Sequence, residues 1–123
     1  MQGKTVLCVD DSATIRRIIV TFLKNQGCKD IMQASDGLKA IAKMEEKKPD
    51  LIISDWNMPN LNGLEFLKIV RGTDEYKDIP FLMLTAEAQK KNVMEAVQAG
   101  VSNYVIKPFT DDELRKKVKM TLS

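Results

Sequence analysis

Four short apolar runs of this chain each give way to a polar residue, and the four endings form a chemically complementary set. Val6–Val9 is followed by Asp10 and Asp11, Leu51–Ser54 by Asp55, Phe81–Leu84 by Thr85 and Tyr104–Ile106 by Lys107. If the runs are parallel strands with the first and third adjacent, three carboxylates, a hydroxyl and an ammonium meet at one sheet edge. That edge is where open α/β sheets bind their ligands. Carboxylates a few ångströms apart repel and raise one another's pKa unless a cation lies among them. A hard dication is the natural remedy, and Mg²⁺ is commonly held by one or two carboxylates plus a phosphate. No loop carries acidic residues at alternate positions in the manner of a calcium loop. A strand-end carboxylate beside Mg²⁺ can attack a phosphorylated donor and give an acyl phosphate. Asp55 is the central candidate, with Asp10 and Asp11 positioning the metal, Thr85 hydrogen-bonding one phosphoryl oxygen and Lys107 pairing with another. A plainer reading covers each position singly, since polar residues follow buried strands in any α/β protein. It does not account for the complementarity of the set.

The elements that must position these residues alternate strand-like and helical patterns. Strands are expected at Thr5–Val9, Ile31–Ala34, Leu51–Ser54, Phe81–Leu84 and Asn103–Ile106. Their nearly continuous Val, Leu, Ile and Phe content is that of a parallel sheet covered on both faces, so the fold class is α/β. The second run is the weakest and suits an edge. Helical stripes of Ile15, Ile18, Ile19 and Phe22, then of Leu38, Ile41 and Ala42, are expected to face the core. A third helix follows Asn62 with Leu64, Leu67 and Val70 and ends near Gly72, and a fourth spans Gln89–Ala99. Thr110 and Glu113 have the spacing of a capping box for a fifth, and Asp111 and Asp112 suit the positive end of its dipole.

Composition narrows the chemistry further. With 123 residues there is room for one core, so residues 1–123 are read as one domain whose output is its own surface. The 19 basic and 17 acidic side chains give a formal charge of +2, too balanced to imply nucleic acid or an anionic membrane as partner. No apolar run reaches membrane-span length and no signal-peptide core is visible, which leads to the expectation of a cytoplasmic protein. Histidine is absent, which removes Ser-His and Cys-His nucleophile pairs and the common zinc sites. Cys8 and Cys28 make no metal or redox spacing and read as reduced packing residues.

These residues resemble the receiver domains of bacterial two-component response regulators over essentially the whole chain. The carriers are Val9-Asp10-Asp11-Ser12, Asp55-Trp56-Asn57-Met58-Pro59-Asn60, Gly63, Thr85-Ala86-Glu87 and Lys107-Pro108-Phe109, in the family's order and spacing. The resemblance implies a flavodoxin-like, doubly wound (βα)5 fold with sheet order 2-1-3-4-5 and helices on both faces. It implies phosphorylation of Asp55 by a histidine kinase, with Mg²⁺ bound by Asp11, Asp55 and the backbone carbonyl of Asn57 and with Asp10 helping through water. It further implies a cis Lys107-Pro108 bond. Such a protein is a phosphoacceptor switch and not an enzyme in the ordinary sense, although it assists its own phosphorylation and autodephosphorylation. Within the family, Asp55-Trp56-Asn57-Met58-Pro59, Thr85-Ala86-Glu87 and Tyr104 are similar to the single-domain chemotaxis regulators. Those act as monomers between a chemotaxis-type histidine kinase and a flagellar motor switch protein, with a phosphatase as a further partner.

In that family a phosphoryl group draws the hydroxyl at the position of Thr85, and the ring at the position of Tyr104 turns inward, remodelling the neighbouring face. Tyr104 by itself is equally an amphipathic ring at a strand edge, and its place three residues before Lys107 favours the switch reading. Lys90 and Lys91 read first as a solvated helix start, with a docking patch for an acidic partner as the rival. Trp56 reads either as a core ring or, directly after the acceptor, as a cover over the pocket mouth, and the second is expected; Asn57 and Glu87 are expected to tune the acyl phosphate's lifetime. Two enzyme or carrier readings compete. A phosphatase of the haloacid dehalogenase type needs an Asp two residues after its nucleophile, where this chain has Asn57. A flavodoxin-like FMN carrier needs a phosphate loop where Asp10 and Asp11 would repel the ligand. A single-domain regulator that relays or drains phosphate outside chemotaxis stays open.

Overall fold

Thr5–Val9, Leu51–Ser54 and Phe81–Thr85 are buried at every residue, as their apolar runs require of strands covered on both faces. They are β1, β3 and β4 of a computed structural model that describes residues 1–86 and 89–122. The remaining elements are α1 (Ala13–Asn25), β2 (Asp30–Ala34), α2 (Gly37–Glu46), α3 (Gly63–Gly72), α4 (Lys90–Gln98), β5 (Asn103–Ile106) and α5 (Asp111–Leu122). The five strands are parallel in the order β2-β1-β3-β4-β5, so the chain reverses its direction of winding between β1 and β3. Both the expected order and the edge position of the second strand are observed.

Period-two alternation along the strands divides the core in two. Leu7, Val9, Ile52, Phe81 and Met83 face α2, α3 and α4, meeting Ala40, Met44, Phe66, Leu67 and Ala96. Val6, Cys8, Ile53, Leu82 and Leu84 face α1 and α5, meeting Ile19, Phe22, Leu23, Leu114 and Val118. Each fully buried large apolar side chain contributes about 1.5–3 kcal/mol, so these two layers hold the strand order. Both cysteines are free and buried. Burial pushes the Cys8 thiol up to about 12, with the nearby Asp10 charge adding to the effect, which leaves it a packing group.

Two helical stripes differ from expectation. Ile18 is 44 % exposed and Leu38 56 % exposed, and Ala42 also faces solvent. In α1 the buried side runs through Ile19, Phe22 and Leu23. In α2 it runs through Gly37, Ala40 and Met44. The cause in α2 is close backbone approach: a Cβ at Gly37 would lie 2.8 Å from the carbonyl oxygen of Leu61. That contact turns the glycine side inward and Leu38 outward.

The caps also redistribute. The full reciprocal capping box forms at Asn62 and Glu65, at the start of α3. At α5, Thr110 Oγ1 accepts from the Glu113 N–H at 3.1 Å, while the Glu113 carboxylate accepts from the Thr110 hydroxyl at 3.2 Å and not from its backbone. No helix among the described residues is long and apolar enough to cross a membrane.

Candidate functional site

The register of β1 against β3 pairs Val9 with Ser54, so the next residues, Asp10 and Asp55, emerge side by side. Ladder bonds continue one step past the strands and fix both: Asp55 N–H donates to Val9 O at 2.9 Å and Asp10 N–H to Ala34 O at 3.1 Å. Asp11 follows at the turn into α1. One carboxylate oxygen from each of Asp10, Asp11 and Asp55 lies within 4.8 Å of the others, with Asp10 and Asp55 buried and Asp11 exposed. The turn is held by the Ser12 N–H, which donates to Asp10 Oδ1 at 2.9 Å, and by the Arg16 guanidinium, which donates to Asp10 O at 2.6 Å.

Lys107 reaches this group from the end of β5. Its N–H donates to Thr85 O at 2.8 Å, anchoring the strand end, and the Lys107–Pro108 bond is cis, as expected. The ammonium lies 2.9 Å from Asp10 Oδ2 and 3.5 Å from Asp55 Oδ1. Asp55 Oδ1 also accepts from the Trp56 N–H at 2.8 Å. Burial raises the Asp55 carboxyl above its ordinary value; Lys107 opposes that shift and the Asp10 charge adds to it.

Three carboxylates against one ammonium leave two negative charges among hard oxygen donors, and Asp11 opens to solvent. That donor set fits a hard dication that keeps part of its water shell. Asn57 lies beside it, lining with Asp11, Met58, Pro59 and Asn62 an open cavity of about 500 Å³.

A family model described as the response regulator receiver domain matches residues 6–119. The chain belongs to that family. This receiver is 42 % identical over 113 residues to the chemotaxis protein CheY-3 of Vibrio cholerae, covering 92 % of this chain and 87 % of that one. It is 42 % identical over 118 residues to the chemotaxis protein CheY1 of Helicobacter pylori, covering 95 % of each. The solved structure of the chemotaxis response regulator CheY4 of Vibrio cholerae superimposes with a TM-score of 0.90 at 39 % identity, over 97 % of this chain and 98 % of that one. Accepting a phosphoryl group on an aspartate from a kinase is the general function of receiver domains.

The other residues singled out in the sequence take the following places in this receiver. Thr85 is fully buried and ends β4. It pairs with Ile106 while Tyr104 pairs with Met83, so Thr85 and Tyr104 lie on one sheet face as diagonal neighbours. Tyr104 is half-buried against the α2–α4 core layer. Lys90 and Lys91 are exposed in the first turn of α4, beside Met94, Glu95 and Gln98. Glu87 lies outside the described residues. Trp56 differs from expectation: it is 8 % exposed and packs in the core layer with Leu64 and Phe66, because its side chain alternates inward where Asp55 turns to the pocket. Arg16 and Asp36 were not singled out. Arg16 is one of many basic helix residues and carries no distinguishing signal, whereas Ser35-Asp36-Gly37 before an apolar helix has the pattern of an N-cap.

Proposed function

We propose that Asp55 is the phosphoacceptor of this receiver and that residues 1–123 act as one switch domain. The carrying observation is the Asp10, Asp11, Asp55 and Lys107 cluster at the carboxyl edge of the sheet. An Asp55 carboxylate oxygen attacks the phosphorus of a phosphohistidine. The P–N bond breaks, its electron pair stays on the imidazole nitrogen, which is then protonated, and the product is an acyl phosphate. Asp11, Asp55 and the backbone carbonyl of Asn57, with Asp10 through water, are the residues that would hold Mg²⁺. The ion supplies neutralisation of charge on the transferred group. Lys107 pairs with a phosphoryl oxygen, and the Thr85 hydroxyl hydrogen-bonds another.

Attraction of Thr85 toward the phosphoryl group opens room on the sheet face it shares with Tyr104, and the ring moves inward. The face formed by α4, β5 and α5, with Lys90 and Lys91 at its edge, then changes its affinity for a partner. Asn57, beside Asp11 in the cavity, and Glu87, assigned from the family resemblance alone, tune the lifetime of the acyl phosphate, which the protein hydrolyses itself. Resemblance to chemotaxis proteins over the whole chain supports a cytoplasmic, monomeric regulator between a histidine kinase and a flagellar motor switch protein, with a phosphatase as a further partner.

Labelling by a small phosphodonor with Mg²⁺ tests the acceptor: Asp55→Asn is expected to take up no label, and undiminished labelling removes Asp55 from the role. A pull-down with and without BeF₃⁻ tests the output. Recovery of a motor-switch peptide only with the mimic supports chemotaxis, and recovery of a histidine-phosphotransfer protein alone favours a relay or phosphate sink.

A further inference from the structure

Asp36 is a carboxylate only 2 % exposed that lies outside the acidic pocket and that the chemistry above does not use. Its Oδ1 accepts from the Lys39 N–H at 2.9 Å and caps α2. A neutral Ser or Asn would cap equally well without burying a charge. The second oxygen is the informative one. Oδ2 accepts from the Asn60 side-chain amide at 2.8 Å, across 24 residues of sequence. The Lys39 N–H and then the Asn60 amide hold the Asp36 carboxyl below its ordinary value, consistent with an ionised group.

Asn60 occupies a special backbone position. It has φ of 65°, the one non-glycine residue in the left-handed region among those described, a conformation that costs energy unless its surroundings hold it. The next contact is equally specific. Gly37 N–H donates to Leu61 O at 3.1 Å, and the 2.8 Å to which a Cβ at Gly37 would approach that oxygen leaves no room for a side chain. The start of α2 therefore grips the acceptor loop twice, at Asn60 and at Leu61. The loop is closed on itself by Gly63 N–H to Trp56 O and by Leu61 N–H to Pro59 O, both 2.7 Å. Between these ties lie Asn57, Met58 and Pro59, the wall of the cavity beside Asp11.

We infer that Asp36 is a positioning residue for the metal side of the pocket, holding Asn57 in place beside Asp11 through its hydrogen bond to Asn60. This rests on the Mg²⁺ reading above, and the two can fail separately. Asp36 touches no reacting atom; it acts through the loop, as outer partners of metal ligands do.

The test is a Mg²⁺ titration of the full chain, followed by Trp56 fluorescence and by the amide resonance of Asn57. Asp36→Asn keeps an oxygen for the Lys39 N–H and turns an amide against the Asn60 amide, breaking only the second bond. The Mg²⁺ Kd is expected to rise about tenfold, the lower end of the effect of losing an outer partner. Asp36→Asn with Asn60→Asp reverses the polarity of the bond and is expected to recover most of the loss. Asn60→Asp alone sets two carboxylates face to face and is expected to bind more weakly than wild type. Wild-type affinity in Asp36→Asn, or no recovery in the double variant, overturns the inference while leaving the metal reading intact. Tighter binding by Asn60→Asp alone assigns the recovery to charge and also overturns it. A wild-type protein that binds no Mg²⁺ removes the metal reading and this inference together.

Discussion

The Lys107 ammonium lies 2.9 Å from Asp10 Oδ2, joining residues 97 positions apart at the carboxyl edge of the sheet. Among the described residues it is the one cation in an ion pair with the carboxylate of Asp10 or Asp55. Removing one partner of a buried pair costs roughly 3–5 kcal/mol, and because the Lys107 side chain is 19 % exposed, about 2–3 kcal/mol is expected here. Lys107→Ala should therefore lower the unfolding free energy in EDTA. A dication among the same carboxylates replaces the lost neutralisation, so the deficit should shrink in saturating Mg²⁺, and by linkage the variant should bind Mg²⁺ correspondingly more tightly than wild type. Denaturant melts with and without Mg²⁺ check this, and an equal deficit in both contradicts it.

Asp55 carries the opposite cost. Its carboxyl is raised by burial and by the Asp10 charge, against the pull of Lys107. A carboxyl whose folded pKa exceeds its unfolded value costs stability when ionised. That cost fades as pH falls through the folded value toward the unfolded one, because the native state then binds more protons. Asp55→Asn should raise the metal-free melting temperature at pH 7 by roughly 3–6 °C, corresponding to about 1 kcal/mol. The gain should decline as pH approaches about 4, where the unfolded carboxyl also becomes protonated. A gain that grows on acidification would contradict the assignment.

Legibility followed the physics that produces each feature. Strands β1, β3 and β4 were readable because burial on both faces demands unbroken apolar runs, and the residue after each run had to stand at the sheet edge. The phase of α2 was not, since Leu38, Ile41 and Ala42 make as good a stripe as Gly37, Ala40 and Met44 until the Leu61 carbonyl is known to press on Gly37. Lys107 and the three aspartates came together, and Thr85 ends the neighbouring strand at the same sheet edge, because strand ends converge by topology. The Asp36–Asn60 bond escaped because it joins two loops, and no periodicity links loops.

Trp56 gives a direct check on one such difference. A ring 8 % exposed in the core layer should emit at short wavelength and resist quenching by iodide, with or without Mg²⁺. It would still report the pocket, because the backbone N–H of Trp56 donates to Asp55 Oδ1. Strong iodide quenching in the metal-free protein would place the ring at the pocket mouth instead.

Two glycines of α3 separate tight packing from mere flexibility. A Cβ at Gly63 would lie 2.1 Å from Asp55 O and 2.9 Å from Trp56 Cα, whereas at Gly72 nothing stands within 4 Å. Both obstructions at Gly63 are backbone, so relief requires moving the start of α3 off the Asp55–Trp56 segment. Gly63→Ala is therefore expected to cost about 3 kcal/mol or more, the upper range for overpacking. Because Gly63 N–H also closes the loop onto Trp56 O at 2.7 Å, the same displacement should slow Mg²⁺-dependent labelling of Asp55. Gly72→Ala gains helix propensity with no clash and should be neutral or stabilising by about 0.5 kcal/mol. Urea denaturation of both variants, alongside labelling with a small phosphodonor, makes the comparison. If Gly63→Ala proved as harmless as Gly72→Ala in both measurements, the first turn of α3 would not rest on the Asp55 carbonyl as the structure places it.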